Sequence, residues 1–105
     1  MFKRVKSKKL TDSANGQHCT MRVPGICNGR NDTVVLCHIP RPKMSATGGK
    51  THDFFGFYGC SDCHTWFDRY SKNAAVSFEY ALDALLETQS IMVLQGLIKI
   101  EGATL

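Results

Sequence analysis

Phe54-Phe55-Gly56-Phe57-Tyr58-Gly59-Cys60-Ser61-Asp62-Cys63-His64-Thr65-Trp66-Phe67-Asp68 is the stretch that decides how this chain folds. Its first six residues are aromatic and interrupted by glycine, which suits a short strand. Ser61 offers a helix cap and predicts a helix to about Ser71. Between strand and helix, Cys60 and Cys63 make a tight knuckle. Two intervening residues let both sulfurs reach one zinc ion from a turn. His64 and Asp68, four apart, share one face of the helix. Upstream, Thr33-Val34-Val35-Leu36-Cys37-His38-Ile39 is the best strand in the chain, and Pro40 and Pro42 end it. The two strands are expected to pair antiparallel, with the helix packed across them.

A second pair of thiols lies further upstream. Cys19 and Cys27 enclose seven residues, wider than a knuckle, but the Pro24-Gly25 turn between them can fold back. With Cys60 and Cys63 they make an all-cysteine zinc site. Four protein ligands leave no open position, so such a zinc is structural. The competing reading takes Cys19 or Cys27 as an ordinary buried thiol. A redox role for Cys60 and Cys63 would need a βαβ unit, which the pattern lacks. Cys37 makes the cysteine count five, and an odd count argues against a fully disulfide-paired framework.

At 105 residues the chain is one domain. Below about 80 ordered residues a core usually needs a staple. Residues 1–9 read as a flexible basic arm and residues 40–52 as a mobile basic loop around Thr47-Gly48-Gly49. Thr11 to Ala14 reads as a helical turn, stopped by Asn15-Gly16. Ser77 is expected to cap a C-terminal packing helix over 77–96. Its apolar positions Phe78, Ala81, Leu82, Leu85, Leu86, Met92 and Val93 follow helical spacing. That stripe is read first as core, and it leaves a homodimer through this helix open. Leu97 to Glu101 reads as a short strand or a frayed tail. No apolar run follows the basic N-terminal residues and no stretch is long enough to span a membrane. A cytoplasmic setting with reduced cysteines is therefore expected.

The net charge of +4 is unevenly spread. Residues 1–76 carry twelve Lys/Arg against five Asp/Glu, and residues 77–105 carry one Lys against four acids. Every Cys and His falls in the basic part. A basic surface around a metal site suits a polyanion such as nucleic acid, although a charge of this size also fits a merely solvated surface. His38 ends the first strand. A helix packed across the hairpin would bring it to the spot marked by His64 and Asp68. Taken singly, His38 reads as an ordinary surface histidine, and His64 with Asp68 as a helix-surface pair. Taken together they read as one strand-borne base and one helix-borne metal site.

These residues resemble the HNH endonucleases of ββα-metal fold, and more closely the small YbcO-like nucleases of phages and prophages. The resemblance rests on Leu36-Cys37-His38-Ile39, on the stretch from Gly16 to Cys27-Asn28-Gly29, and on Asp53 to Asp68 with its Cys-x-x-Cys-His-x-x-x-Asp pattern. It covers roughly residues 7–72. It implies an α+β fold, a small zinc-stapled ββα-metal core with an added C-terminal helix, forming one nuclease domain over 1–105. It further implies that His38 is the base on the attacking water and that Asp53 orients that base or the phosphate. His64 and Asp68 would bind a catalytic Mg²⁺, Mn²⁺ or Zn²⁺, and Cys19, Cys27, Cys60 and Cys63 a structural Zn²⁺. The implied partner is DNA, or RNA, with no membrane, and the implied setting is phage or prophage DNA processing or recombination. Arg41, Lys43, Lys50 and Arg69 are candidates to grip flanking phosphates without reading sequence. Two positions depart from the pattern. Cys37 stands where many HNH enzymes carry an Asp, Glu or His ligand, and Asp53 stands where Asn is commoner. The rival expectation is a non-catalytic zinc module that binds nucleic acid, with His38 and His64 incidental.

Overall fold

A computed structural model describes residues 3–44, 50–70 and 75–105. Among these the chain is a small α+β fold with one two-stranded sheet and three α-helices: α1 (Lys8–Ser13), β1 (Val35–His38), β2 (Gly56–Gly59), α2 (Ser61–Tyr70) and α3 (Ala75–Leu94). Short 3₁₀ turns over Asn31–Thr33 and Asp53–Phe55 lead into the two strands, and a third covers Pro42–Met44. The expected hairpin forms, antiparallel, with Val35 opposite Gly59 and His38 opposite Gly56. Both strands are shorter than expected, because the 3₁₀ turns take up Thr33 and Phe54-Phe55. Thr47-Gly48-Gly49 and Ser71 lie outside the described residues.

Alternation sorts the strand side chains onto two faces. Cys37 and Phe57 are opposite one another. Phe57 meets Phe67 of α2 edge-on at 5.5 Å, so α2 covers this face. Leu36 and Tyr58 form the pair on the other face, where the Tyr58 hydroxyl lies 2.7 Å from Ser13 Oγ of α1. Two strand positions need glycine. A Cβ on Gly56 would come within 2.7 Å of Leu36, and one on Gly59 within 2.8 Å of the Cys37 sulfur.

The outer edge of β2 is closed by two buried threonines. Tyr58 N–H donates to Thr88 Oγ1 at 3.0 Å, and Tyr58 C=O accepts from Thr20 N–H at 2.7 Å and Thr20 Oγ1 at 2.9 Å. The two hydroxyls are 3.0 Å apart. An open edge would leave these backbone groups unpaired. This requirement explains why α3 buries a line that keeps Ala81 and Met92 of the expected stripe but adds Ser77, Ala84 and Thr88. Ser77, Ala81, Ala84, Thr88 and Met92 face inward, while Leu82 and Leu86 of the expected stripe are 53% and 55% exposed. Small residues let the helix come close enough for Thr88 to reach the strand.

Three further expectations are corrected. The arm over 1–9 was expected to be loose. In the described part, Ser7 caps α1 by accepting from Leu10 N–H, Lys8 and Lys9 are helical, and Val5 C=O accepts from Asp53 N–H at 3.0 Å. Ser61 is not the cap of α2. The Cys60 carbonyl accepts from His64 N–H and the Cys60 sulfur from Cys63 N–H. Ser77 lies inside α3, its hydroxyl donating to Tyr70 C=O at 3.2 Å. Gly96 does end α3. Its φ is +75°, and Gly96 N–H and Leu97 N–H return to Val93 and Met92 carbonyls. Leu97 to Glu101 forms no strand.

Candidate metal centre and the His38–Asp53 pair

The sulfurs of Cys19, Cys27, Cys60 and Cys63 all lie within 4.8 Å of one another. The Cys27 and Cys60 sulfurs are 3.9 Å apart. A tetrahedral zinc with Zn–S bonds of about 2.3 Å has sulfur–sulfur edges of about 3.8 Å, so the cluster fits a metal such as zinc. No disulfide competes, because all five cysteines are free. The wide Cys19–Cys27 loop folds back as the Pro-Gly turn suggested, with Ile26 and Cys27 N–H both reaching Val23 C=O. Gly25 takes a φ of +76° there.

Backbone amides face the sulfurs. Those of Arg22 and Met21 favour a Cys19 thiolate, that of Gly29 a Cys27 thiolate and that of Val23 a Cys63 thiolate. Arg22 adopts a left-handed φ of +46°, rare for a side chain of its kind, and so turns consecutive amides toward one anion. Its guanidinium is held by Cys19 C=O and by both Glu87 oxygens. The Cys63 hydrogen bond, outweighing burial, holds the Cys19 thiol down to about 4. The same contact, then burial, pushes Cys63 above the ordinary thiol range. Burial likewise raises Cys27. A bound dication reverses that sharing by taking all four as thiolates.

His38 and His64 stand in two separate pairs. His38 Nε2 lies 2.8 Å from Asp53 Oδ1. That carboxylate is nearly fully buried and also accepts from Arg4 Nη2 at 2.7 Å and, on Oδ2, from Ser7 N–H at 2.6 Å. Burial pushes the Asp53 carboxyl up, but the Ser7 amide, the His38 hydrogen bond and the Arg4 charge outweigh it and hold it below its ordinary value. On α2, His64 Nε2 is 3.4 Å from Asp68 Oδ2, both side chains open to solvent. Strand alternation turns Cys37 toward α2 and His38 toward the Asp53 turn. His38 is thus paired with Asp53, and His64 with Asp68. After burial, the Asp68 charge is the next cause that pushes the Cys37 thiol up. Cys37 is fully buried against Gly59 and stays a thiol, a packing residue in the strand. Among the described residues only the four cysteines bring three or more ligand atoms together.

Of the candidate phosphate-binding residues, Arg41, Lys43, Lys50 and Arg69 are all exposed. Arg41 also lies over the Phe78 ring at 5.7 Å, and Arg69 lines a cleft with Trp66 and Tyr70. Sequence reasoning missed Arg4 and Ser7. The one available signal was that a buried aspartate must find donors.

The family profile described as "Putative nuclease YbcO" matches residues 8–97. The chain belongs to the YbcO family. A "Putative nuclease YbcO" of Escherichia coli (strain K12) is 38% identical over 92 residues, covering 86% of this chain and 96% of that protein. A "Putative nuclease ybcO" of Enterobacteria phage 82 matches at the same identity and coverage. A solved structure described as a "putative bacteriophage protein" from Escherichia coli K-12 superposes with a TM-score of 0.65 at 34% identity, covering 82% of this chain and 98% of that one. YbcO relatives thus share this chain nearly end to end, and no helix among its described residues is long and apolar enough to cross a membrane.

Proposed function

We propose that this YbcO protein is an HNH-type, metal-dependent endonuclease that hydrolyses phosphodiester bonds of DNA in phage or prophage DNA processing. The observation that carries the reading is the His38–Asp53 pair. An ionised carboxylate only accepts, so His38 Nε2–H donates to Asp53 and Nδ1 keeps its lone pair. An imidazole so held suits removal of a proton from water near neutral pH. A divalent cation held by His64 and Asp68, with open positions filled by water or substrate, would supply positive charge to the scissile phosphate and the leaving oxygen. The nitrogen and oxygen donors of that pair suit Mn²⁺ or Zn²⁺, and Mg²⁺ with more water. The four-cysteine site serves the fold. Arg41, Lys43, Lys50 and Arg69 would hold flanking phosphates, giving weak sequence preference and binding that falls with salt.

The second reading, a zinc module that binds nucleic acid without cutting it, is favoured by the single four-cysteine cluster. Supercoiled plasmid incubated with Mg²⁺, Mn²⁺, Zn²⁺ or a chelator separates the two. The nuclease nicks with metal, and His38→Ala loses about a hundredfold or more. Salt-sensitive binding with no cleavage under any metal would leave the binding module.

A further inference from the structure

We propose that Arg4 is a positioning residue for His38, so that the segment before α1 sets which nitrogen of the base faces the water. The inference rests on His38 being the base. Arg4 is 49 residues from Asp53 in sequence, yet its Nη2 and His38 Nε2 meet the same oxygen, Asp53 Oδ1, at 2.7 and 2.8 Å. Arg4 Nε donates to Thr51 C=O at 2.9 Å, which fixes the guanidinium plane. Ser7 N–H holds Oδ2, and a two-way backbone link ties the segment down: Asp53 N–H to Val5 C=O and Val5 N–H to His52 Nδ1. Of the three hydrogen bonds on the Asp53 carboxylate, the two besides that of His38 thus come from Arg4 and Ser7. Arg4, Val5 and Ser7 all precede the segment that matches the family profile, residues 8–97.

Two consequences follow. The carboxylate cannot swing, so the His38 ring has one orientation. Asp53 also stays ionised, so His38 in its neutral form carries its proton on Nε2. Lysine at position 4 could supply the charge but not the planar fork that bonds Thr51 and Asp53 together.

The test uses the full zinc-loaded chain with ¹⁵N-labelled histidine, comparing wild type, Arg4→Lys and Arg4→Gln. Amide spectra first establish that each variant is folded. The wild type should show His38 as the Nε2–H tautomer. Arg4→Gln should show a mixture of tautomers, and Arg4→Lys should fall between them. In the nicking assay, kcat of Arg4→Gln should fall about tenfold or more with KM within about twofold, since a base contributes about 10²- to 10⁴-fold. A pure Nε2–H tautomer in folded Arg4→Gln, or an unchanged kcat, overturns the proposal. The tautomer is read without turnover. If the wild type cuts nothing, the nuclease reading fails while the positioning of His38 by Arg4 is still decided.

Discussion

Replacing Asp53 by Asn exchanges one carboxylate oxygen for an NH₂ group and tests the centre of the site. The carboxylate accepts from Arg4, His38 and Ser7. An amide keeps one acceptor and turns the other into a donor. In the cheaper orientation the amide oxygen still serves Arg4 and His38, and the NH₂ group faces Ser7 N–H at the former 2.6 Å contact. That loses one charge-assisted bond and sets donor against donor, at about 1–2 kcal/mol. The ion pair with Arg4 is also lost. Its side chains are 17% and 5% exposed, so solvent does little to replace it, and another 1–2 kcal/mol or so follows. Asp53→Asn should therefore lower unfolding free energy by about 2–4 kcal/mol. Urea denaturation in saturating zinc reads this directly. Combining it with Arg4→Met should give a coupling of about 1–2 kcal/mol, because the two side chains are in contact. An Asp53→Asn variant within about 0.5 kcal/mol of wild type would show that no ionised network exists there, and would take the oriented base with it.

Other outcomes follow from the same contacts. Because Asp53 is held below its ordinary value, its contribution is complete above about pH 4 and lost as pH falls through the folded value; wild type should lose stability on acidification more steeply than Asp53→Asn, and parallel acid titrations would refute this. Thr88→Val keeps the shape but leaves the buried Tyr58 N–H unpaired, costing about 1–3 kcal/mol, while Thr88→Ser should recover most of it in the same melts. Removing the metal, or Cys60→Ser, should abolish cooperative unfolding and one equivalent of bound zinc, since a structural zinc contributes about 10–16 kcal/mol in small zinc domains; a chain that keeps a sharp melt without metal contradicts the staple.

What was legible in the sequence was local. The strands announce themselves by β-branched and aromatic runs, and two residues between Cys60 and Cys63 dictate a knuckle. The wide Cys19–Cys27 pair became readable once a Pro-Gly turn was seen to close it. What was not legible depends on partners far along the chain. Ser7 and Arg4 find Asp53 across 46 and 49 residues, so their basic stretch looked like a loose arm. The inner face of α3 was read only in part, with Ala81 and Met92 placed correctly and Leu82 and Leu86 not. Apolar periodicity points to Leu82 and Leu86, but the helix answers the unpaired backbone of Tyr58, and that demand selects Thr88 flanked by small residues.

A two-stranded hairpin of four-residue strands is marginal by itself. Here it is anchored at both ends by different chemistry. At the Val35–Gly59 end, Cys60 follows directly and sets the strand beside Cys19, Cys27 and Cys63, which a metal would tie together. At the His38–Gly56 end, the Asp53 turn ties both strands to the N-terminal segment through Arg4 and Ser7. A metal held by these four cysteines would therefore bear on the end away from His38. The end that carries His38 is held by an ion pair and an amide, whose geometry can be tuned one hydrogen bond at a time without disturbing the four-cysteine cluster.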